Sequence, residues 1–235
     1  MRQLTLDVWS DIACPWCWVG KRRLEGALAR FEHREQVVLR FRAFELDPSA
    51  PAVQDPSVSY AARLARKYGM SDAKAQGMLE QMTSTAAADG LDMRFDRIRP
   101  GNTFDAHRLL HLAHACGVQA TLKERLFRAY FSEGEAIGER SALARLAGEA
   151  GLASADVERV LASDEGAREV RADEAEAAAH GIRGVPFFVF ARQLGVSGAQ
   201  TPEVLLGALA QAWAAAPPAP AEHAEGASCG SDGCC

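Results

Sequence analysis

The chain has 235 residues, enough for one large domain or for a compact domain carrying an insertion. Its net charge of -5 removes the basic footprint that a nucleic-acid binder uses against phosphates. No run approaches the roughly 18 apolar residues of a membrane span, and Met1 to Asp7 lacks the apolar core of a signal peptide. The expectation is a cytoplasmic protein with no nucleic-acid and no membrane partner.

Leu4-Thr5-Leu6-Asp7-Val8-Trp9 alternates with a period near two and carries β-branched and aromatic residues, which predicts a strand. Cys14 and Cys17 follow directly. From Pro15 to Phe31 the pattern turns helical, with Leu24, Leu28 and Phe31 at spacings of four and three. Val37 to Leu46 reads as a second strand. Strand, helix and strand at these lengths make a βαβ unit the economical reading.

Asp47-Pro48-Ser49-Ala50-Pro51 and Asp55-Pro56 break the pattern, and the stretch to about Ser163 carries almost no strand signal. It reads as a helical block. Ser71, Asn102-Thr103, Ser141 and Ser154 stand at plausible helix starts, and Leu91 to Ile98 is ambiguous. A helix from about Asp164 to His180 is followed by strands at Val185 to Phe190 and Leu194 to Val196. Thr201-Pro202-Glu203 then opens a last apolar helix to about Ala215. The order predicts an α/β protein. A thioredoxin-like domain of residues 1–50 and 164–216 is interrupted by an all-helical insertion over 51–163, and a flexible Cys-containing tail follows at 217–235.

The six cysteines are poorly distributed for a disulfide framework: two near the start, one in the middle and three within the last seven residues. In a reducing compartment that placement suits redox or metal chemistry better than crosslinking. A C-x-x-C pair between a strand and a helix sets its first sulfur beside unpaired helix N–H groups, which favour the thiolate nucleophile of disulfide exchange. Cys17, one turn further in, is placed to resolve the mixed disulfide, and Pro15 suits the first helical position. Half of a zinc site and a pair of buried thiols are the bland alternatives. A zinc site needs a second ligand pair, and neither the tail cysteines nor the histidines near residue 110 has zinc-ribbon spacing.

The run from Asp7 through Cys14-Pro15-Trp16-Cys17-Trp18-Val19-Gly20 resembles the DsbA family of thioredoxin-like oxidoreductases, and within it the FrnE-like branch. Asn102-Thr103-Phe104-Asp105-Ala106-His107-Arg108-Leu109 and Gly181-Ile182-Arg183-Gly184-Val185-Pro186-Phe187-Phe188-Val189 resemble the same branch. Together they cover the chain from about Leu4 to Trp213. The resemblance implies that Val185-Pro186 is a cis-proline loop facing the cysteines, holding backbone groups open for an extended substrate. It also implies a buried acid under the cysteines as proton acceptor. Asp7 matches that position, Asp11 lies nearer in sequence, and a surface or loop-capping role stands beside the relay role for both.

His107, His111 and His114 share one helix face, as metal ligands can. Leu109, Leu110 and Leu112 show the helix packing elsewhere on its circumference, so solvated or locally satisfied histidines are expected and no metal site. Cys116 is expected to be a buried, inert thiol. In the tail, about 13 residues separate Ala216 from Cys229. A flexible segment of that length spans about 20 Å, against a globule radius of about 17 Å. Cys229 and Cys234 are accordingly read as a second redox pair exchanging with Cys14 and Cys17, with metal capture or an inert tail as alternatives.

The functional expectation is a thiol-disulfide oxidoreductase without a cofactor, acting as oxidase, reductase or isomerase on protein or peptide disulfides through a Cys14 mixed disulfide. Pro15, Trp16, Val185 and Pro186 are expected against the substrate, with Trp16 and Trp18 forming an apolar rim. Glutathione or a thioredoxin-type reductant would recycle the pair. Two rivals remain: a glutathione-dependent isomerase or transferase of the kappa type, against which the cysteine pair argues, and a thiol-based metal-binding protein.

Overall fold

The computed structural model describes residues 2–55 and 57–215. Strand β1 (Leu4–Ser10) leads through a short loop into helix α1 (Pro15–Arg30), and a single 3-10 turn precedes β2 (Val37–Ala43). β1 and β2 pair in parallel, Leu4 opposite Val37 and Ser10 opposite Ala43. β2 ends before the predicted Leu46, where donors go to side chains: the N–H of Ala43, its last residue, donates to Asp173 Oδ2 at 2.9 Å, and Leu46 N–H to Asp11 Oδ2 at 2.8 Å.

Between β2 and the returning strands lie α2 (Tyr60–Tyr68), α3 (Asp72–Ala88), α4 (Phe104–Ala115), α5 (Gln119–Arg128), α6 (Arg140–Glu149) and α7 (Ser154–Ala162). A π turn at Ala129–Glu133 prolongs α5 and closes on Gly134 at φ 73°. Ser59 and Ser71 cap α2 and α3 through hydroxyls that accept from Ala62 N–H and Lys74 N–H. The ambiguous stretch forms no strand. Leu91, Met93 and Phe95 are buried in alternation, and Arg94 N–H donates to Phe131 O at 2.7 Å. Helix α8 (Ala167–Ala179) returns the chain to the sheet, where β3 (Phe187–Phe190) pairs antiparallel to β1 and β4 (Leu194–Ser197) antiparallel to β3. Helix α9 (Pro202–Ala215) ends the described chain.

The sheet order is β2-β1-β3-β4, a thioredoxin-like mixed sheet with a helical block inserted. Side chains alternate across each strand. Leu4, Leu6 and Val8 therefore meet Leu24 of α1, Phe31 just past its end, and Leu205 and Leu209 of α9 on one face. On the other, Asp7 and Trp9 face α8. Arg42 donates there to Asp7 Oδ1 and Asp173 Oδ1, both at 2.7 Å, and Trp9 Nε1 donates to Asp173 O. A second core fills the inserted helices. Ile12, Cys14, Cys17, Trp18 and Val19 belong to that core rather than to the sheet's.

Candidate active site

Cys14 caps α1 in an extended conformation (φ -96°, ψ 112°) with Pro15 at the first helical positions, and Cys17 N–H donates to Cys14 O at 3.0 Å. The two thiols are unbonded, with residue exposures of 5% and 2%. Cys14 Sγ lies 3.5 Å from Val185 O, and the Val185–Pro186 peptide bond is cis. Gly20 permits this approach of helix and loop: a Cβ there would stand 2.8 Å from Pro186 Cγ.

Cys14 lines a groove of about 780 Å³ between the sheet end and the inserted helices. Trp16, Tyr60, Tyr130, Arg183 and Val185 share its walls; Cys17 does not. Burial, reinforced by the neighbouring Cys14, pushes the Cys17 thiol well above its ordinary range. The two tryptophans separate. Trp16 is 44% exposed at the groove, whereas Trp18 is 3% exposed, stacked on Phe127 and Phe131, with Nε1 donating to Glu124 Oε1 at 3.1 Å. The expected rim therefore loses Trp18, because the next helical face meets α5.

Asp7 is engaged by Arg42 on the α8 side of the sheet, so the acid held in the cysteine loop is Asp11. Its carboxylate is buried and accepts from Leu46 N–H at 2.8 Å and Ala13 N–H at 3.4 Å, with His107 Nε2 at 3.4 Å. Burial opposes ionisation, but the bonds from His107, Leu46 and Thr103 prevail and hold Asp11 below the usual carboxylate value. Burial likewise pushes His107 below its ordinary value, with Asp11 working against that shift, and its Nε2 faces the Asp11 carboxylate. The histidine face is thus divided: His107 joins Asp11, His111 Nε2 lies 3.0 Å from Asp173 Oδ2, and His114 is exposed. Among the described residues no group of three or more His, Cys, Asp or Glu is placed to hold a metal ion. Cys116 is exposed rather than buried, since it caps the end of α4 beyond the last inward-facing residue, Ala113. Cys229 and Cys234 lie outside the described residues.

Sequence reasoning missed Gln119 and Lys123. The Gln119 amide clamps β2, accepting from Phe41 N–H and donating to Phe41 O, both at 2.9 Å. One turn on, Lys123 is wholly buried; its Nζ lies 3.5 Å from Ser10 O, 5.2 Å from the Phe127 ring centre and 5.8 Å from that of Phe41. The available signal was spacing: Gln119, Lys123 and Phe127 stand four apart, on the face flanked by Leu122 and Leu126.

A cysteine pair opening the helix after the first strand of a thioredoxin-like sheet, with an X-Pro loop against its first sulfur, defines a disulfide oxidoreductase. The model of the DSBA-like thioredoxin domain matches residues 5–210, and the chain belongs to that family. A probable DsbA oxidoreductase from Streptomyces coelicolor is 45% identical and superimposes with a TM-score of 0.85 over 99% of each chain. YwbO of Bacillus subtilis is 30% identical over 161 residues, 66% of this chain and 70% of that one. A cytosolic disulfide reductase from Pseudomonas aeruginosa, DsbM, shares the fold at 18% identity and a TM-score of 0.63, over 89% of this chain and 98% of its own; one of its structures is with GSH. No helix of the described residues is long and apolar enough to cross a membrane.

Proposed function

We propose that the chain exchanges disulfides of protein or peptide substrates through a mixed disulfide on Cys14, which Cys17 resolves. The observation that carries this reading is the asymmetry of the pair: Cys14 opens on the groove at the head of α1, while Cys17 lies behind it with its thiol proton held by burial. In the reductive direction the Cys14 thiolate attacks a substrate sulfur, and the first thiolate leaves. Cys17 then loses its proton and attacks Cys14 Sγ, the second substrate sulfur leaves as a thiolate, and two electrons have passed from the pair to the substrate. Pro15, Trp16, Val185 and Pro186 form the contact surface, with Val185 supplying backbone next to the reacting sulfur.

Four exposed apolar side chains, Trp16, Leu46, Tyr68 and Met78, line the groove, which favours an extended polypeptide. Arg63, Arg66, Lys67 and Arg183 line it too, a complement for carboxylates, including those of glutathione as recycling thiol. The runs Asn102 to Leu109 and Gly181 to Val189 support placement in the FrnE-like branch, and the cytosolic DsbM is in keeping with a cytoplasmic setting. Cys229 and Cys234 are proposed as the internal exchange partner. The test is trapping: Cys17→Ser should accumulate a Cys14 mixed disulfide with a scrambled-protein substrate, and Cys14→Ser should abolish insulin reduction. Undiminished turnover by Cys14→Ser overturns the reading.

A further inference from the structure

The inserted helical block delivers a buried cation to the end of β1, where Ser10 leads into the cysteine loop, beside Phe127 of the core that also holds Cys14 and Cys17. Lys123 projects from α5 into a space closed by Phe41, Phe127 and the Ser10 carbonyl, and no carboxylate among the described residues lies within ion-pair distance of it. An ammonium taken out of water without a carboxylate is unfavourable unless another negative charge forms nearby. The titratable groups whose charges act on it are Cys17 and Cys14 at the head of α1 and Asp11 in the preceding loop, which favour the ammonium, and Lys21 on α1, which opposes it; His107 on α4 feels the charge of Lys123 in turn. Asp11 is already occupied by Leu46, Ala13 and His107, and Lys21 is paired with Glu25 and Glu124. That leaves the cysteines as the charge Lys123 can answer.

We propose that Lys123 is a positioning residue for the second half-reaction, the cation against which Cys17 ionises to resolve the mixed disulfide. The inference rests on the Cys14 and Cys17 roles given above. When Cys14 is bonded to a substrate sulfur, the Cys17 thiol gives up its proton to water and the resulting thiolate is held by the Lys123 ammonium. The thiolate then attacks Cys14 Sγ; the Cys14–Cys17 bond forms, the bond to the substrate breaks, and the electron pair leaves on the substrate sulfur. That sulfur takes a proton from water, so the substrate is reduced and the pair oxidised. In keeping with this, burial draws the Lys123 ammonium down to about 8, while the negative charges of Cys17, Asp11 and Cys14 work to keep it protonated.

The experiment uses the full chain with Cys116→Ser, Cys229→Ser, Cys234→Ser and Cys235→Ser as background, so that only the pair reports, and the disulfide of two 5-thio-2-nitrobenzoate units as probe, comparing that parent, taken as wild type, with its Lys123→Met variant. Attack of Cys14 on the aromatic disulfide is read as the first release of the coloured thiolate, and resolution by Cys17 as the second. Lys123→Met should fold with a Tm at least that of wild type, since an apolar isostere relieves the buried charge. Its second release should slow by roughly ten-fold or more, with the midpoint of its pH profile raised by about one unit. The first release should change less. Equal slowing of both steps without a shifted midpoint, a larger effect on the first step, or no effect on either overturns the proposal. Absence of a second release from the wild type would instead overturn the underlying roles of the pair.

Discussion

Gly20 and Pro186 are packed so closely that a methyl group on Gly20 would stand 2.8 Å from Pro186 Cγ and 3.3 Å from Phe188 Cζ. Neither neighbour is the free end of a flexible chain, so α1 and the loop before β3 would have to part. Gly20→Ala is therefore expected to destabilise by about 1–3 kcal/mol, in spite of alanine's better helix propensity. Because the same displacement moves Val185 relative to Cys14, the rate of mixed-disulfide formation should fall as well. Thermal unfolding and stopped-flow reaction with a peptide disulfide check the two effects.

Acid sensitivity follows from Asp11 and His107. His107 is depressed in the folded state, so the unfolded chain binds the extra proton first, and stability falls as pH drops below its unfolded value of about 6.5. Asp11 is also depressed; its contribution is present above an unfolded value of about 3.9 and is lost as pH falls through the lower folded value. Urea titrations from pH 8 to pH 3 should show both losses. His107→Gln should flatten the upper one, with a change in slope of up to about 1.4 kcal/mol per pH unit. An unchanged slope would remove His107 from this account.

Trp16 and Trp18 stand two residues apart and should behave oppositely. Trp16→Ala removes an exposed side chain at the groove, so stability should change by under about 0.5 kcal/mol while KM for peptide substrates rises. Trp18→Ala opens a hole against Phe127 and Phe131 and leaves Glu124 short of a donor, at about 3–5 kcal/mol. Denaturant midpoints alongside steady-state kinetics separate the pair.

Arg66 and Lys67 test the charge of the groove. Both are exposed along its wall. Arg66→Glu combined with Lys67→Glu should lower kcat/KM for acidic peptide disulfides by roughly five- to ten-fold at low ionic strength, with the difference shrinking as salt is added. A neutral peptide of the same length should be affected little.

The strands, the cysteine pair and the Val185–Pro186 turn are legible in the sequence because each is a local pattern: alternation, a fixed spacing, a proline at a strand start. Lys123 and Gln119 are not, since their burial comes from where α5 is laid, over β2 at Phe41 and against the end of β1 at Ser10. Read along the chain, they are ordinary polar residues of a polar helix. Leu91 to Ile98 misleads in the opposite direction, alternating like a strand with Phe131 O as the acceptor for Arg94 N–H instead of a ladder. Asp7 shows a third limit. Its position along β1 is visible in the sequence, but Arg42, two residues beyond the register partner Arg40, decides what the carboxylate does.

Cys14 and Cys17 share their apolar surroundings with the inserted helices. Folding and redox poise are thereby two sides of one thermodynamic cycle. Whatever the helical block gains or loses when the dithiol closes must appear as a displacement of the pair's reduction potential, with 1.4 kcal/mol equivalent to about 30 mV for a two-electron couple. A substitution deep in the block, far from either sulfur, can retune the potential whenever the two redox forms feel it differently. For this chain, drift in the helical core is also drift along the scale from reductant to oxidant.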